Sequence, residues 1–245
     1  MRVVYDEKNY RRKERLARIV TTSFLVIAIG VLVLMLFAPN FGWLNPQNFN
    51  AQFLISIGIL AVIFIFSRVV AYLGNRYLSP LRPAKVIEEN LKGMDRKHTL
   101  MVYNTPSDYV LIEPGGLSVL IPRTQQGLTS YKNGKWKHGV SIVGAWMGRD
   151  EPLGDPSAQA SNELSKINAL IQQKSPGLKV PLRAIIVFTH PRSRLDAETS
   201  PTAIIRAEDL KDFLRGAGKL PELPKSIQRK MREALGAPEI NETDK

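Results

Sequence analysis

Two long apolar runs near the start of the chain, Ile19–Ala38 and Ala51–Ser67, constrain its fold more than any other feature. The first holds 20 residues without a charge. At helical rise such a run spans roughly 30 Å, the thickness of a bilayer's hydrocarbon core. The second holds 17 uncharged residues before Arg68, and its apolar character resumes from Val69 to Leu73. Lipid offers no water to backbone polar groups, so runs of this kind must be helices or lie buried in protein. No charged residue breaks either run into an amphipathic pattern, which favours a membrane hairpin over a pair of soluble core helices. A secretory signal fits poorly, because the first run exceeds a typical signal core and no small-x-small cleavage pattern lies near Phe37–Pro39.

The flanks set an expected orientation. Arg11, Arg12, Lys13, Arg15 and Arg18 precede the first run, and Arg68, Arg76, Arg82 and Lys85 follow the second. The connection Pro39–Asn50 carries no charge at all. Basic residues near membrane ends stay on the cytoplasmic side, so the expectation is a two-pass cell-membrane protein with both termini cytoplasmic. Arg68 is placed to snorkel to the inner interface. Phe41, Trp43 and Phe49 suit the opposite one, where aromatic rings anchor helices.

Charge is then less telling than its total. The chain is +12 overall, yet seven basic and three acidic residues lie within the first 20, and Arg68 and Arg76 stand in or beside the second run. Half of the excess therefore follows from topology and attraction to anionic head groups. In the remainder, Pro114–Arg149 has no acidic residue but contains Arg123, Lys132, Lys135, Lys137 and Arg149. Such a stretch suits phosphates or lipid head groups. Equally, it suits a solvated hairpin whose lysines discourage strand pairing. With no cysteine, disulfides, thiolate metal sites and cysteine nucleophiles are excluded. His98, His138 and His190 have no metal-ligand spacing, and no metal residue is assigned.

Beyond residue 80 the patterning predicts an α/β domain with a mixed sheet flanked by helices. The expected boundaries are a basic N-terminus over 1–18, a helical hairpin over 19–73, a linker over 74–81, the domain over 82–238 and a polar tail over 239–245. Ala84–Met94 has helical spacing. Thr99–Tyr103, Asp108–Glu113 and Leu117–Ile121 read as strands, the last two joined by the turn Pro114-Gly115-Gly116. Asn133-Gly134, flanked by Tyr131 and Trp136, signals a hairpin, completing a meander of about four strands. Asp155 and Pro156 open a helix to Lys174 as cap and first helical residue. Val180–Phe188 and Thr202–Ile205 read as strands, and Glu208–Leu214 and Ile227–Leu235 as helices.

In this order the motifs resemble the nuclease-related domain (NERD), a relative of the PD-(D/E)XK restriction-endonuclease fold. That family has a strand bearing Asp, a Pro-Gly-Gly-like turn, a strand ending in Glu-x-Lys, a glycine, a hairpin with Trp and a helix opening on Asn-Pro-x-x-Gln. The corresponding text here is Asp108–Arg123, Gly127, Asn133-Gly134-Lys135-Trp136 and Asp155-Pro156-Ser157-Ala158-Gln159, over roughly residues 82–216. The resemblance implies a restriction-endonuclease-like domain with Asp108, Arg123 and Gln159 as vestigial catalytic positions. The Glu position falls on Ile121 and the Lys position on Arg123. Two carboxylates normally hold the divalent metal in such a site, and Ile121 supplies none.

The resemblance therefore implies a degenerate site that no longer cleaves, binds nucleic acid or another phosphate-bearing ligand through Arg123, Lys132, Lys135 and Lys137, and needs no cofactor. An active nuclease using a divalent metal such as Mg would need a migrated carboxylate, with Glu163, Glu88 and Glu89 as candidates. A third reading is a membrane scaffold for a protein partner. A transporter is disfavoured because neither run has an ionisable residue near its middle. Gly134-Lys135 belongs to a turn, not a phosphate loop, and there is no G-x-S-x-G motif.

Overall fold

The computed structural model describes residues 1–37, 49–139, 152–198 and 200–238. Phe41, Trp43, Arg149 and the tail from Glu239, all singled out above, lie outside the described residues. The chain divides into two compact units, one containing residues 11–79, the other residues 1–10 and most of the chain after residue 80.

The first unit carries two helices, α1 (Glu7–Phe37) and α2 (Phe49–Leu73), both long and apolar enough to cross a membrane. Their large side chains face outward: Leu25, Val26, Ile27, Leu54, Leu60 and Ile65 are all more than half exposed. A soluble core helix would bury such residues, each worth about 1.5–3 kcal/mol when removed from water. The expected basic segment over 1–18 is not a separate element. Helix α1 begins 12 residues before the apolar run and carries Arg11, Arg12, Arg15 and Arg18, whereas Arg2 lies in the preceding strand, β1 (Arg2–Tyr5). One turn of π-helix, Gly74–Leu78, follows α2.

The second unit is built on a six-stranded sheet. Its strands are β1 (Arg2–Tyr5), β2 (Thr99–Val102), β3 (Tyr109–Glu113), β4 (Gly116–Arg123), β7 (Leu182–Phe188) and β9 (Ala203–Arg206), in the order β1-β2-β3-β4-β7-β9. The sheet is mixed, as expected: β2-β3-β4 is an antiparallel meander, whereas the β1/β2, β4/β7 and β7/β9 pairs are parallel. Strand β1 was not anticipated. Its register sets Arg2 against Thr99 and Tyr5 against Val102, so the residues before α1 and those after α2 share one ladder. Asp6 continues the ladder by donating its N–H to the Val102 carbonyl, and its side chain caps α1 by accepting from the Asn9 N–H at 2.9 Å.

Helices cover the sheet. On one face Val110, Ile112, Leu117, Val119, Ile121, Ile186 and Phe188 form a core with Ile167 and Ile171 of α4 (Pro156–Lys174) and Met231 and Leu235 of α6 (Lys225–Leu235). The opposite face carries the buried Leu111, Leu120, Ile185 and Val187, with Arg183 stacked 5.5 Å from the Phe213 ring of α5 (Leu210–Arg215). Helix α3 (Pro83–Asn90) stops short of the expected Met94, where Gly93 takes a positive φ of 80°.

The four-strand meander also divides. Strands β5 (Gly127–Lys132) and β6 (Lys135–His138) leave the main sheet and join β8 (Ser193–Ala197), another unanticipated strand, in the order β6-β5-β8. Asn133 and Gly134 both have positive φ, 51° and 72°, as a two-residue hairpin turn requires. This small sheet packs inward through Trp136, whose ring lies 4.8 Å from Tyr131 and 6.5 Å from Phe188.

Candidate functional site

Alternation along β4 decides which side chains meet α4. Leu117, Val119 and Ile121 point to the α4 core, and Arg123 follows at the same parity where the strand ends. Helix α4 starts beside it. Asp155 accepts from the Ser157 and Ala158 N–H groups at 2.9 and 3.0 Å, with Pro156 as first helical residue. That start brings Gln159 to face the strand end, where the Arg123 guanidinium donates to Gln159 Oε1 at 2.8 Å.

One turn further along α4, Glu163 reaches the segment before β3. The buried Ser107 hydroxyl donates to Glu163 Oε2 at 2.5 Å, and Lys166 Nζ lies 2.7 Å from Glu163 Oε1. Asp108 is the next residue. It lies just before β3 rather than within it, and its carbonyl accepts from the Tyr103 N–H at 2.8 Å. Asp108, Arg123 and Gln159 thus lie toward one end of the sheet. Arg123 and Gln159 touch directly, and Asp108 is adjacent to the residue that fastens Glu163.

The chemistry of this group follows from its charges. Ile121, in the position where the nuclease pattern carries Glu, is 2% exposed and packed in the core. Of the candidate replacement carboxylates, Glu163 is neutralised by Lys166 and held by Ser107. Glu88 instead accepts from the Tyr5 hydroxyl at 2.5 Å, and Glu89 pairs with Lys85 at 3.7 Å. Burial and the Glu88 carboxylate beside it raise the Tyr5 phenol well above its ordinary value. Among the described residues, no group of three or more His, Asp or Glu side chains is placed to hold a metal ion. His138 Nδ1 is hydrogen-bonded to the Thr129 hydroxyl at 2.9 Å, and His190 Nδ1 accepts from the Arg192 N–H.

The four cations grouped on sequence are divided between two sheets. Arg123 ends a strand of the main sheet and faces α4, whereas Lys132, Lys135 and Lys137 lie exposed on the small sheet. Lys132 pairs with Asp196 at 2.8 Å, and that hydrogen bond and charge raise its pKa. Lys135 sits opposite it across the hairpin.

A second polar group went unnoticed in the sequence. Arg183 donates from Nη2 to both oxygens of Glu113 (3.0 and 3.1 Å), from Nε to the Ser118 hydroxyl (2.7 Å) and from Nη1 to the Gly218 carbonyl. Ser118 in turn donates to Glu113. Glu113 is 3% exposed, so its charge is compensated entirely from within the domain. A usable signal existed: Arg183 interrupts the otherwise apolar run Leu182–Phe188. No protein-family model, curated protein or solved structure matches this chain.

Proposed function

We propose that this chain is a membrane-anchored protein of the nuclease-related type. In this reading its α1–α2 hairpin crosses the bilayer twice, both termini are cytoplasmic, and its domain binds a phosphate-bearing ligand without cleaving it. Nucleic acid is the leading ligand class, met at the β4 end where Arg123 stands over Gln159. The observation that carries the non-cleaving reading is Ile121: an apolar side chain in the core stands where metal-dependent cleavage needs a second oxygen ligand. Support for the even number of crossings comes from β1 and β2. Because the two flanks of the hairpin pair in one sheet, they lie on the same side of any bilayer the helices cross.

The test is binding and cleavage together. Full-length protein in vesicles should retain an oligonucleotide with an affinity that falls steeply with salt, and Arg123→Gln should weaken it without altering the melt. No cleavage should occur with magnesium or manganese. Salt-independent retention, or none at low salt, refutes the binding. A second reading is supported by the contact of Glu163 with the residue before Asp108: an active nuclease with a migrated carboxylate. It requires divalent-dependent cleavage abolished by Asp108→Ala and by Glu163→Gln.

A further inference from the structure

The outer face of the small sheet is cationic by construction. Register puts Lys132 opposite Lys135, Ser130 opposite Lys137 on one side and Asp196 on the other, and Leu128 opposite Arg194, so these side chains share one face, four cations to one acid. All four cations on it are exposed, and Leu128, an apolar side chain among them, is 52% exposed. Two acids are already engaged there, Asp196 on the face and Glu198 at its end. Asp196 pairs with Lys132, and Glu198 is turned to accept from the Asn133 N–H at 3.2 Å, closing the hairpin turn. The aromatic residues Tyr131 and Trp136 occupy the inner face, where the Trp136 indole N–H donates to the Ser157 hydroxyl at 2.9 Å.

We infer that this face docks on an anionic lipid surface, with Lys132, Lys135, Lys137 and Arg194 meeting head-group phosphates and Leu128 entering the interface. Charge complementarity selects a polyanion. Bases of single-stranded nucleic acid are held by stacking on aromatic rings, and among the described residues this face presents none. Cations beside an exposed apolar side chain match the polar and acyl parts of a bilayer's edge. The inference rests on the reading that α1 and α2 cross the bilayer, which keeps a lipid surface at high effective concentration.

The chain has no cysteine, so single labels are simple to place. Full-length Leu128→Cys, carrying an environment-sensitive dye, is reconstituted in vesicles of phosphatidylcholine alone or mixed with phosphatidylglycerol. Spin-labelled head groups serve as quenchers. The label should be quenched only in the anionic vesicles, and added salt should release it. Replacing the four cations with Gln should lower the docked-to-free ratio at least about tenfold, given the attraction of each basic residue to an anionic surface. Equal quenching in both lipids, or quenching indifferent to the substitutions, overturns the inference. An RNA oligonucleotide that displaces the label from anionic vesicles assigns the face to nucleic acid and also overturns it. A parallel Val26→Cys label reports the anchor. If it is not reached by acyl-chain quenchers, the membrane reading fails and takes the inference with it. If it is reached while the Leu128→Cys label stays in water, the inference alone fails.

Discussion

Arg183 directs its guanidinium wholly at its own domain, and that makes it the residue on which the β3–β4 end of the sheet most depends. Arg183→Met would leave the Glu113 carboxylate buried with only Ser118 as partner. The expected loss is about 3–5 kcal/mol, as for other broken buried pairs, and adding Glu113→Leu should recover much of it. Urea titration of the detergent-solubilised full chain measures both. A loss no larger than for a surface substitution would mean that water already reaches the pair. His98 offers a pH handle. Burial lowers its pKa from 6.5, outweighing the attraction of Glu113, and its Nδ1 is buried without a partner. The unfolded chain then binds a proton that the folded chain refuses. Its contribution to stability is therefore full above pH 6.5 and is lost as pH falls from there through the folded value. Thermal melts between pH 7.5 and 5 should show that decline, and His98→Leu should flatten it.

At the scale of elements, β4 and α4 jointly determine what the Arg123–Gln159 end can become. Ile121→Glu supplies the carboxylate of the nuclease pattern, but in a packed apolar core. The expected result is a destabilisation of at least about 3 kcal/mol and no divalent-dependent cleavage, read from melts and a nuclease assay run side by side. Elements with their own local chemistry were legible in the sequence. Asn133-Gly134 made the turn its φ preferences allow, and Asp155-Pro156 capped α4. What local pattern could not show was long-range pairing. Arg2–Tyr5 and Ser193–Ala197 are four and five residues of mixed polarity, and each becomes a strand only through a partner distant in the chain. The same limit explains why Lys132, Lys135 and Lys137 were grouped with Arg123. Neighbours in sequence became members of different sheets once β5 left the meander at Gly127, whose φ is 78°. The contact of Arg123 with Gln159 joins two positions named from the sequence, whereas the pairing of Lys166 with Glu163 depends on which way α4 faces.

For the whole molecule, the pairing of β1 with β2 matters most. Residues from before both apolar helices complete a sheet made almost entirely after them. The amino terminus strengthens this seam, its ammonium donating to the Met94 carbonyl at 2.6 Å. Val4→Pro cannot continue the ladder. It should expose the Thr99–Val102 amides to faster hydrogen exchange on one side while β3 still protects the other. Unchanged exchange would show that β1 contributes nothing to holding β2.

The seam also makes the chain a closed circuit, fastened across the two helices at the residues that flank them. A protease nicking the stretch between the helices would cut that circuit without releasing either piece. The shorter fragment would stay clasped to the longer by the β1–β2 ladder and the Tyr5–Glu88 bond, and the two should migrate together until a denaturant parts them.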